Sequence, residues 1–341
     1  HGLCRGRMQC KLSQIDSSIG GKTAIDMGEV KNAIGTIYQP NLVVIDFDTL
    51  KTLDKYQFSS GLVEALKSGL LNDEQIIDLY GGQQDIVQKV IRAVGNPSER
   101  FSEDALRMLR AVRFSAQLGF MIEQATLDAI KEHAQEISFV AIERIAAEFE
   151  KMLISPSVKR GIDALVATNL VDYLPGNIRE TQEKWTNFQA TGAAVGWAYM
   201  AFLNHDWQTI VQGYRLSNKT KAFMQQVMAA YDKLQEGWQP LDYFEYDIEV
   251  LEAAYDFAIW QNISVPFSKD QIEISKANLP IQTKQQLDVN GHDFIKWNEG
   301  KRGPWIKVVM DQTLEAVLSG KLQNDNEQIK NWFLHDFQKG K

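Results

Sequence analysis

The sequence is short of several things, and each shortage removes a class of protein. Only two cysteines, Cys4 and Cys10, occur in 341 residues. A disulfide framework is therefore excluded, and a reducing, cytoplasmic compartment is a better reading of the pair than a metal site. No run of about 18 apolar residues exists, so no membrane span is expected. The opening HGLCRGRMQC has no apolar stretch and is not a secretory leader. Because it begins on His1 rather than Met, it reads as a truncated N-terminus. Positive charge is not in excess either. The 36 Lys and Arg face 44 Asp and Glu, for a net charge of −8. That balance argues against a general polyanion binder and leaves any nucleic-acid contact to local patches. Neither DNA nor a membrane is expected as a partner.

What remains is a chain of ordinary composition, 44% hydrophobic and 23% charged, long enough for two or three modest domains. Its texture changes near residue 75. Upstream, glycines and short β-rich runs dominate, and Leu42 to Ile45 reads as a short buried strand between Gln39-Pro40-Asn41 and Asp46. Downstream, apolar residues recur every three to four positions. Phe101, Ala105, Met108, Val112 and Ala116 predict one helix over 101–118. Further helices are predicted over 124–134, 141–153, 159–169, 221–236, 249–259, 305–318 and 325–338, the last with Asp325 as its N-cap. The fold class is therefore mainly α, a helical array, with a small incomplete α/β fragment at the N-terminus.

One segment carries more charge than a helix surface needs. From Lys89 to Arg113, six basic residues (Lys89, Arg92, Arg100, Arg107, Arg110, Arg113) stand against Glu99, Glu103 and Asp104. At about 100° per residue, Arg100, Glu103, Asp104 and Arg107 fall on one helix face, with Arg110 along its edge. Such a face is usually a solvated ion-pair ladder, worth roughly a few tenths of a kcal/mol per pair. The same groups have a second use. A carboxylate accepts from an exocyclic amine, and a guanidinium donates a planar fork to ring nitrogens, carbonyls or phosphates.

The order of residues favours the second use. Ile91-Arg-Ala-Val-Gly-Asn-Pro, then Glu99-Arg-Phe-Ser-Glu-Asp-Ala-Leu-Arg-Met-Leu-Arg-Ala-Val-Arg-Phe, then Gln117-Leu-Gly-Phe120, resembles the class II tRNA CCA-adding enzyme and poly(A) polymerase family. Supporting segments follow in family order. Ile76 to Asp85 resembles the exit from a catalytic head. Ile142-Glu-Arg-Ile145 with Glu148 and Lys151 resembles a neck motif. Leu279-Pro-Ile281, Val289 to Asp293, Gly303-Pro-Trp305 and Leu314 to Leu322 resemble the tail. The resemblance implies that Asp104 and Arg107 read the base of incoming CTP or ATP. It implies that Arg110 and Arg113 contact the same nucleotide, with Arg100, Glu103, Glu143 and Arg144 supporting them. It also implies tRNA, held by its acceptor and T arms through backbone and shape, as the partner. The expected domains are head exit and neck over 76–155, helical body over 156–270 and tRNA-binding tail over 271–341. Aromatic-rich stretches such as Tyr243 to Tyr255 read as helical core before they read as stacking platforms.

The family's chemistry is metal-assisted attack of a 3′ hydroxyl on an α-phosphate, and it needs two carboxylates on Mg²⁺. The resemblance places them in a D-x-D after a Gly-x-x-Arg-Asp turn. Nothing upstream of residue 76 matches that turn. Asp46-Phe47-Asp48 is a D-x-D after a strand, which alone is a weak motif. Its surroundings resemble another family. Ser13 to Ile25, Lys31-Asn32, Ile37 to Pro40, Thr49 to Thr52 and Ser60 to Lys67 resemble part of 3-dehydroquinate synthase, so 1–75 is expected to be an incomplete fragment of that fold. By that resemblance Asp16, Lys22, Lys31, Asn32 and Lys67 would contact NAD or a phosphorylated substrate. Thr49 and Thr52 would border the NAD, and Glu64 would be one Zn²⁺ ligand. Catalytic zinc takes three protein ligands, and the partner histidine motif is absent from this sequence. A P-loop over Gly20-Gly21-Lys22-Thr23 fails because residue 16 is Asp where Gly is needed.

The sequence therefore predicts a chimeric chain that keeps the nucleotide-recognition and tRNA-binding parts of a tRNA nucleotidyltransferase but not its catalytic head. The alternatives are a nonenzymatic tRNA-binding remnant or a functionless chimera and, more weakly, a 3-dehydroquinate synthase.

Overall fold

The computed structural model describes the backbone of residues 22–27 and 30–37 and then residues 78, 80–205 and 207–337. The chain divides into two units, His1–Gly82 and Gln83–Lys341. Within the first, β1 (Lys22–Met27) and β2 (Val30–Ile37) pair as an antiparallel hairpin, Lys22 opposite Ile37 and Ile25 opposite Ile34. Lys22, Lys31 and Asn32 are backbone members of that hairpin. The strand expected at 42–45, the pair Asp46 and Asp48, and Asp16, Thr49, Thr52, Glu64 and Lys67 lie outside the described residues.

The second unit is almost wholly helical. Its elements begin with α1 (Gly82–Gln88), β3 (Val90–Ile91), α2 (Pro97–Glu103), α3 (Leu106–Leu118), β4 (Met121–Ile122), α4 (Gln124–His133), α5 (Ile142–Leu153) and α6 (Val158–Ala167). They continue through α7 (Ile178–Thr181), α8 (Ala193–Asn204), α9 (Trp207–Gly213), α10 (Asn218–Leu234), α11 (Pro240–Glu245), α12 (Ile248–Trp260) and α13 (Asp270–Ala277). The last are α14 (Gly291–Trp297), α15 (Trp305–Leu318) and α16 (Asn326–Trp332), which ends in a π turn over Phe333–Phe337. Among the described residues, no helix is long and apolar enough to cross a membrane.

The helix predicted over 101–118 is two helices. The first starts four residues early, because Asn96 accepts from Ser98 N–H at 3.1 Å and Pro97 takes the first helical position. It stops at Asp104, whose backbone is extended (φ −151°, ψ 98°). The Asp104 carboxylate accepts from Leu106 N–H at 3.2 Å, a local bond that competes with continuing the helix. The second helix, α3, ends on Gly119 at φ 68°, a left-handed conformation that suits glycine. The other predicted helices agree with the structure to within a few residues, and Asp325 does cap α16, accepting from Gln328 N–H at 3.0 Å.

Two hydrophobic cores hold the helices. One extends from Phe101 to Ile272, the other from Ile281 to Phe333. In the larger, α3 lies against α5 and α6, α5 against α8, and α10 against both α8 and α12. Its centre is aromatic. Tyr199 is fully buried among Trp185, Phe188, Phe257 and Trp260, with ring centroids 4.9–5.4 Å apart. Each well-placed pair adds about 1 kcal/mol beyond its area. Tyr243 and Tyr255 belong to this packing, against Trp238 and Phe267 at 5.8 Å each.

Close approach of α5 to α8 depends on Gly196, where an added Cβ would lie 2.7 Å from the Cβ of Leu153. Gly196→Ala gains about 1 kcal/mol in helix propensity. Overpacking against an atom next to the backbone costs about 2 kcal/mol. The expected outcome is a net loss of about 1 kcal/mol, read as a lower denaturant midpoint with an unchanged slope.

Candidate functional site

The break between α2 and α3 decides where the charged residues point. Arg100, Glu103 and Arg107 still converge across it. The Glu103 carboxylate accepts from Arg100 Nη2 at 2.8 Å and from Arg107 Nη1 at 2.6 Å. Arg107 Nη1 also donates to the Arg100 carbonyl at 3.1 Å, which accepts as well from Asp104 N–H at 3.4 Å. Asp104 leaves this group. Its carboxylate turns to α5 and accepts from Arg144 Nη2 at 3.3 Å. The single helical face expected for Arg100, Glu103, Asp104 and Arg107 is thus corrected to two arrangements, because Asp104 sits in the linker and not on the helix. Beside Arg144, Glu143 binds Arg215, which lies between α9 and α10. Hydrogen bonding to its own backbone, and then to Arg215, holds the Glu143 carboxyl below the usual range.

Deeper in the site lies Glu148, on the buried face of α5 and 5% exposed. It accepts from Arg113 Nε at 2.5 Å and Lys151 Nζ at 3.4 Å, with Arg110 Nε at 3.6 Å. Burial pushes its carboxyl upward, but the hydrogen bond and charge of Arg113, followed by Lys151, outweigh that and hold it below the usual range. The side chain of Arg113 is 11% exposed, against 46% for Arg110. Its guanidinium is occupied by Glu148, by Gln117 and by the Phe114 ring, 3.8 Å from the centroid. Three cations around one carboxylate leave positive charge in excess.

Of these three cations Arg110 lines a cavity of about 400 Å³, whose lining also includes Arg92, Arg100, Arg107, Phe101, Ala111 and the exposed ring of Phe114. Asp104 and Arg113 are not part of the lining. The arrangement suits a ligand with negatively charged oxygens and an apolar or planar part. Carboxylates free to hold a divalent cation are not part of it. Glu103, Asp104 and Glu148 each already serve a guanidinium. Among the described residues, no group of three or more His, Cys, Asp or Glu could hold a metal ion. These residues do not fit a Mg²⁺ site.

The reading of the charged segment missed Glu148 as the organiser of the arginines. Its signal was present. On a helix whose buried positions are Ile145, Ala146, Phe149, Met152 and Leu153, one acid falls among them, and a buried acid requires a partner.

A family model described as tRNA nucleotidyltransferase domain 2 matches residues 188–333. One for an RNA- and SrmB-binding site of polymerase A matches 119–177. A third, 3-dehydroquinate synthase N-terminal, matches 8–60. A CCA-adding enzyme of Bacillus cytotoxicus is 31% identical over 310 residues, covering 84% of this chain and 77% of the relative. One of Anoxybacillus flavithermus is 35% identical over 270 residues, covering 76% of this chain and 66% of its own length. The crystal structure of the Bacillus stearothermophilus CCA-adding enzyme in complex with CTP superposes with a TM-score of 0.70 at 30% identity, covering 77% of this chain and 69% of that one. A Thermotoga maritima CCA-adding enzyme complexed with tRNA shares the fold, with a TM-score of 0.53 at 20% identity, over 76% of this chain and 67% of that one.

Removing the Glu148 charge tests the centre of this network. Glu148→Gln leaves Arg113 buried without its counterion, and a loss of roughly 3 kcal/mol is expected. The pH dependence has a definite sign. A carboxyl depressed in the folded state contributes stability that is present above the ordinary glutamate pKa and lost as pH falls through the depressed value. Acid unfolding of the wild type should therefore steepen below the ordinary glutamate range, and Glu148→Gln should flatten that part of the profile. An unchanged profile would remove Glu148 from the role given to it.

Proposed function

The chain belongs to the CCA-adding enzyme family of tRNA nucleotidyltransferases, and on that premise we propose that it binds CTP, ATP and tRNA at sites carried by its helical unit without the family's own catalytic carboxylates. The observation that carries the nucleotide reading is the cavity itself. Arg100, Arg107 and Arg110 face it with guanidiniums at least 40% exposed, beside a planar aromatic surface. Guanidinium forks suit phosphate oxygens, and the ring suits a base. Asp104 and Arg107 are assigned the base-reading edge. Reading requires Asp104 to exchange its bond to Arg144 for one to the exocyclic amine of the base. Arg110 contacts the phosphates. Arg113 acts from beneath, anchoring α3 on Glu148 rather than touching the nucleotide. Arg144 and Glu143 position Asp104 and link the segment to Arg215.

tRNA recognition is assigned to the helices that follow. Support comes from the RNA-binding family model over 119–177 and the domain 2 model over 188–333. Backbone and shape contacts suit a chain with net charge −8 better than a broad basic surface does.

The loss of catalysis rests on the sequence. Upstream of residue 76 no Gly-x-x-Arg-Asp turn occurs, and the region holds a match to 3-dehydroquinate synthase instead. We read the chain as a chimera in which that fragment replaces the Mg²⁺-binding head. Synthase activity is the weaker reading, because it needs a Zn²⁺ site to which the fragment brings only Glu64.

The test is addition of labelled CTP and ATP to tRNA lacking its 3′ CCA, with Mg²⁺, alongside gel retardation of the same tRNA. The expected result is retardation without incorporation. CTP affinity should fall about tenfold in Arg107→Ala and in Asp104→Ala, the scale of a lost charge-assisted hydrogen bond. Incorporation by the wild type that disappears in Asp104→Ala would overturn the loss of catalysis and reveal a carboxylate pair.

A further inference from the structure

We infer that Lys276 is a positioning residue for tRNA, locking the smaller hydrophobic core to the larger one and so fixing the spacing at which the chain grips two stretches of one RNA. The inference rests on the tRNA reading, whose supporting matches span both cores.

The two cores meet on one short helix. Among the described helices, α11 is the one whose side chains enter both. Leu241 and Phe244 pack against the smaller core. Tyr243, and Tyr246 just past the helix end, pack against the larger. Positions two apart on a helix face different ways, so α11 stands as a partition between the cores. It lies against α13 and α15. Six residues are too few to hold a helix in place by themselves. Both ends are pinned from the larger core. At the start, buried Asp242 accepts from Gln239 N–H at 2.8 Å and from Lys233 Nζ of α10 at 2.5 Å. At the end, Lys276 Nζ of α13 donates to the carbonyl of Tyr243 at 2.7 Å and to that of Tyr246 at 2.6 Å. An ammonium suits the last carbonyls of a helix and the negative end of its dipole. Two of its three N–H donors are thereby committed to α11. Lys276 is half-buried, and burial pushes its ammonium below the usual lysine range, with Asp247 opposing. The helix that carries it is anchored by Ile272, which is fully buried in the larger core.

An RNA held by both cores at once gains from their fixed spacing, because the second contact then forms at a high effective concentration. A loosened α11 would spread that spacing and forfeit the gain without altering either contact surface.

The test compares three RNAs on the full chain by gel retardation: tRNA lacking its 3′ CCA, a hairpin of its acceptor stem alone, and a hairpin of its T arm alone. In Lys276→Met the affinity for whole tRNA should fall about tenfold, with each hairpin bound within about twofold of wild type. Lys276→Arg keeps a cation with donors for both carbonyls and should recover most of the loss. Phe244→Ala loosens the same helix from its other side without removing a charge, and should show the same split. Unchanged tRNA binding by Lys276→Met would overturn the inference. So would hairpins weakened as much as the tRNA, the mark of damage to a contact surface. A Phe244→Ala variant that binds tRNA like wild type would make Lys276 a direct RNA contact and overturn it as well. Failure of the wild type to bind any of the three RNAs would remove the tRNA reading and this inference with it.

Discussion

One buried carboxylate governs the site. Glu148 lies inside the contact between α3 and α5, where an unpaired charge is costly, and Arg113 reaches it from the facing helix. Because the pair is enclosed, the rotation of α3 about its own axis is fixed wherever Glu148 is ionised. That rotation in turn determines which arginines reach solvent. Arg113 faces inward, Arg110 lies at the edge of the carboxylate, and Arg107, about 1.7 turns from Arg113 and so on another face, faces the cavity. The positive character of the cavity is thus a consequence of packing as much as of composition, in a protein whose net charge is negative.

A second constraint is local. Asp104 bonds the backbone two residues on, as aspartate does where it breaks a helix. A continuous helix would have placed its carboxylate beside Arg107. The break turns it toward α5, where Arg144 receives it. In the proposed site, recognition of a base by Asp104 would require competition between Arg144 and the ligand. A reading edge of this kind is selective, because a ligand that offers no donor to the aspartate must leave it with its resident partner.

Much of this was legible in the sequence, and the residues show why. Helices with one apolar stripe, such as α5 and α15, declared themselves through their period, as did the capping residue Asp325. The helix α8 did not. Its sequence AAVGWAYMAFLN is buried over seven of twelve positions and lacks a polar face to set the period. The short helices α11 and α14 are defined by capping boxes rather than periodicity. Identities in the charged segment led to Arg100, Arg107 and Arg110, which line the cavity, and to Asp104 and Arg113, which do not, and their grouping on one face did not survive. Periodicity assumes a continuous helix, and one side-chain-to-backbone bond is enough to end it.

The described residues place both cores within the helical array. Every residue of both hydrophobic clusters lies between Ile91 and Leu334, the partly buried ones included. The ion pairs that place Arg107, Arg110 and Arg113 are confined to 100–151. The proposed recognition site is therefore built from helices that bury one another. In the site proposed for the nucleotide, selection depends on how α3 is held by α5, because that contact sets which arginines reach the cavity.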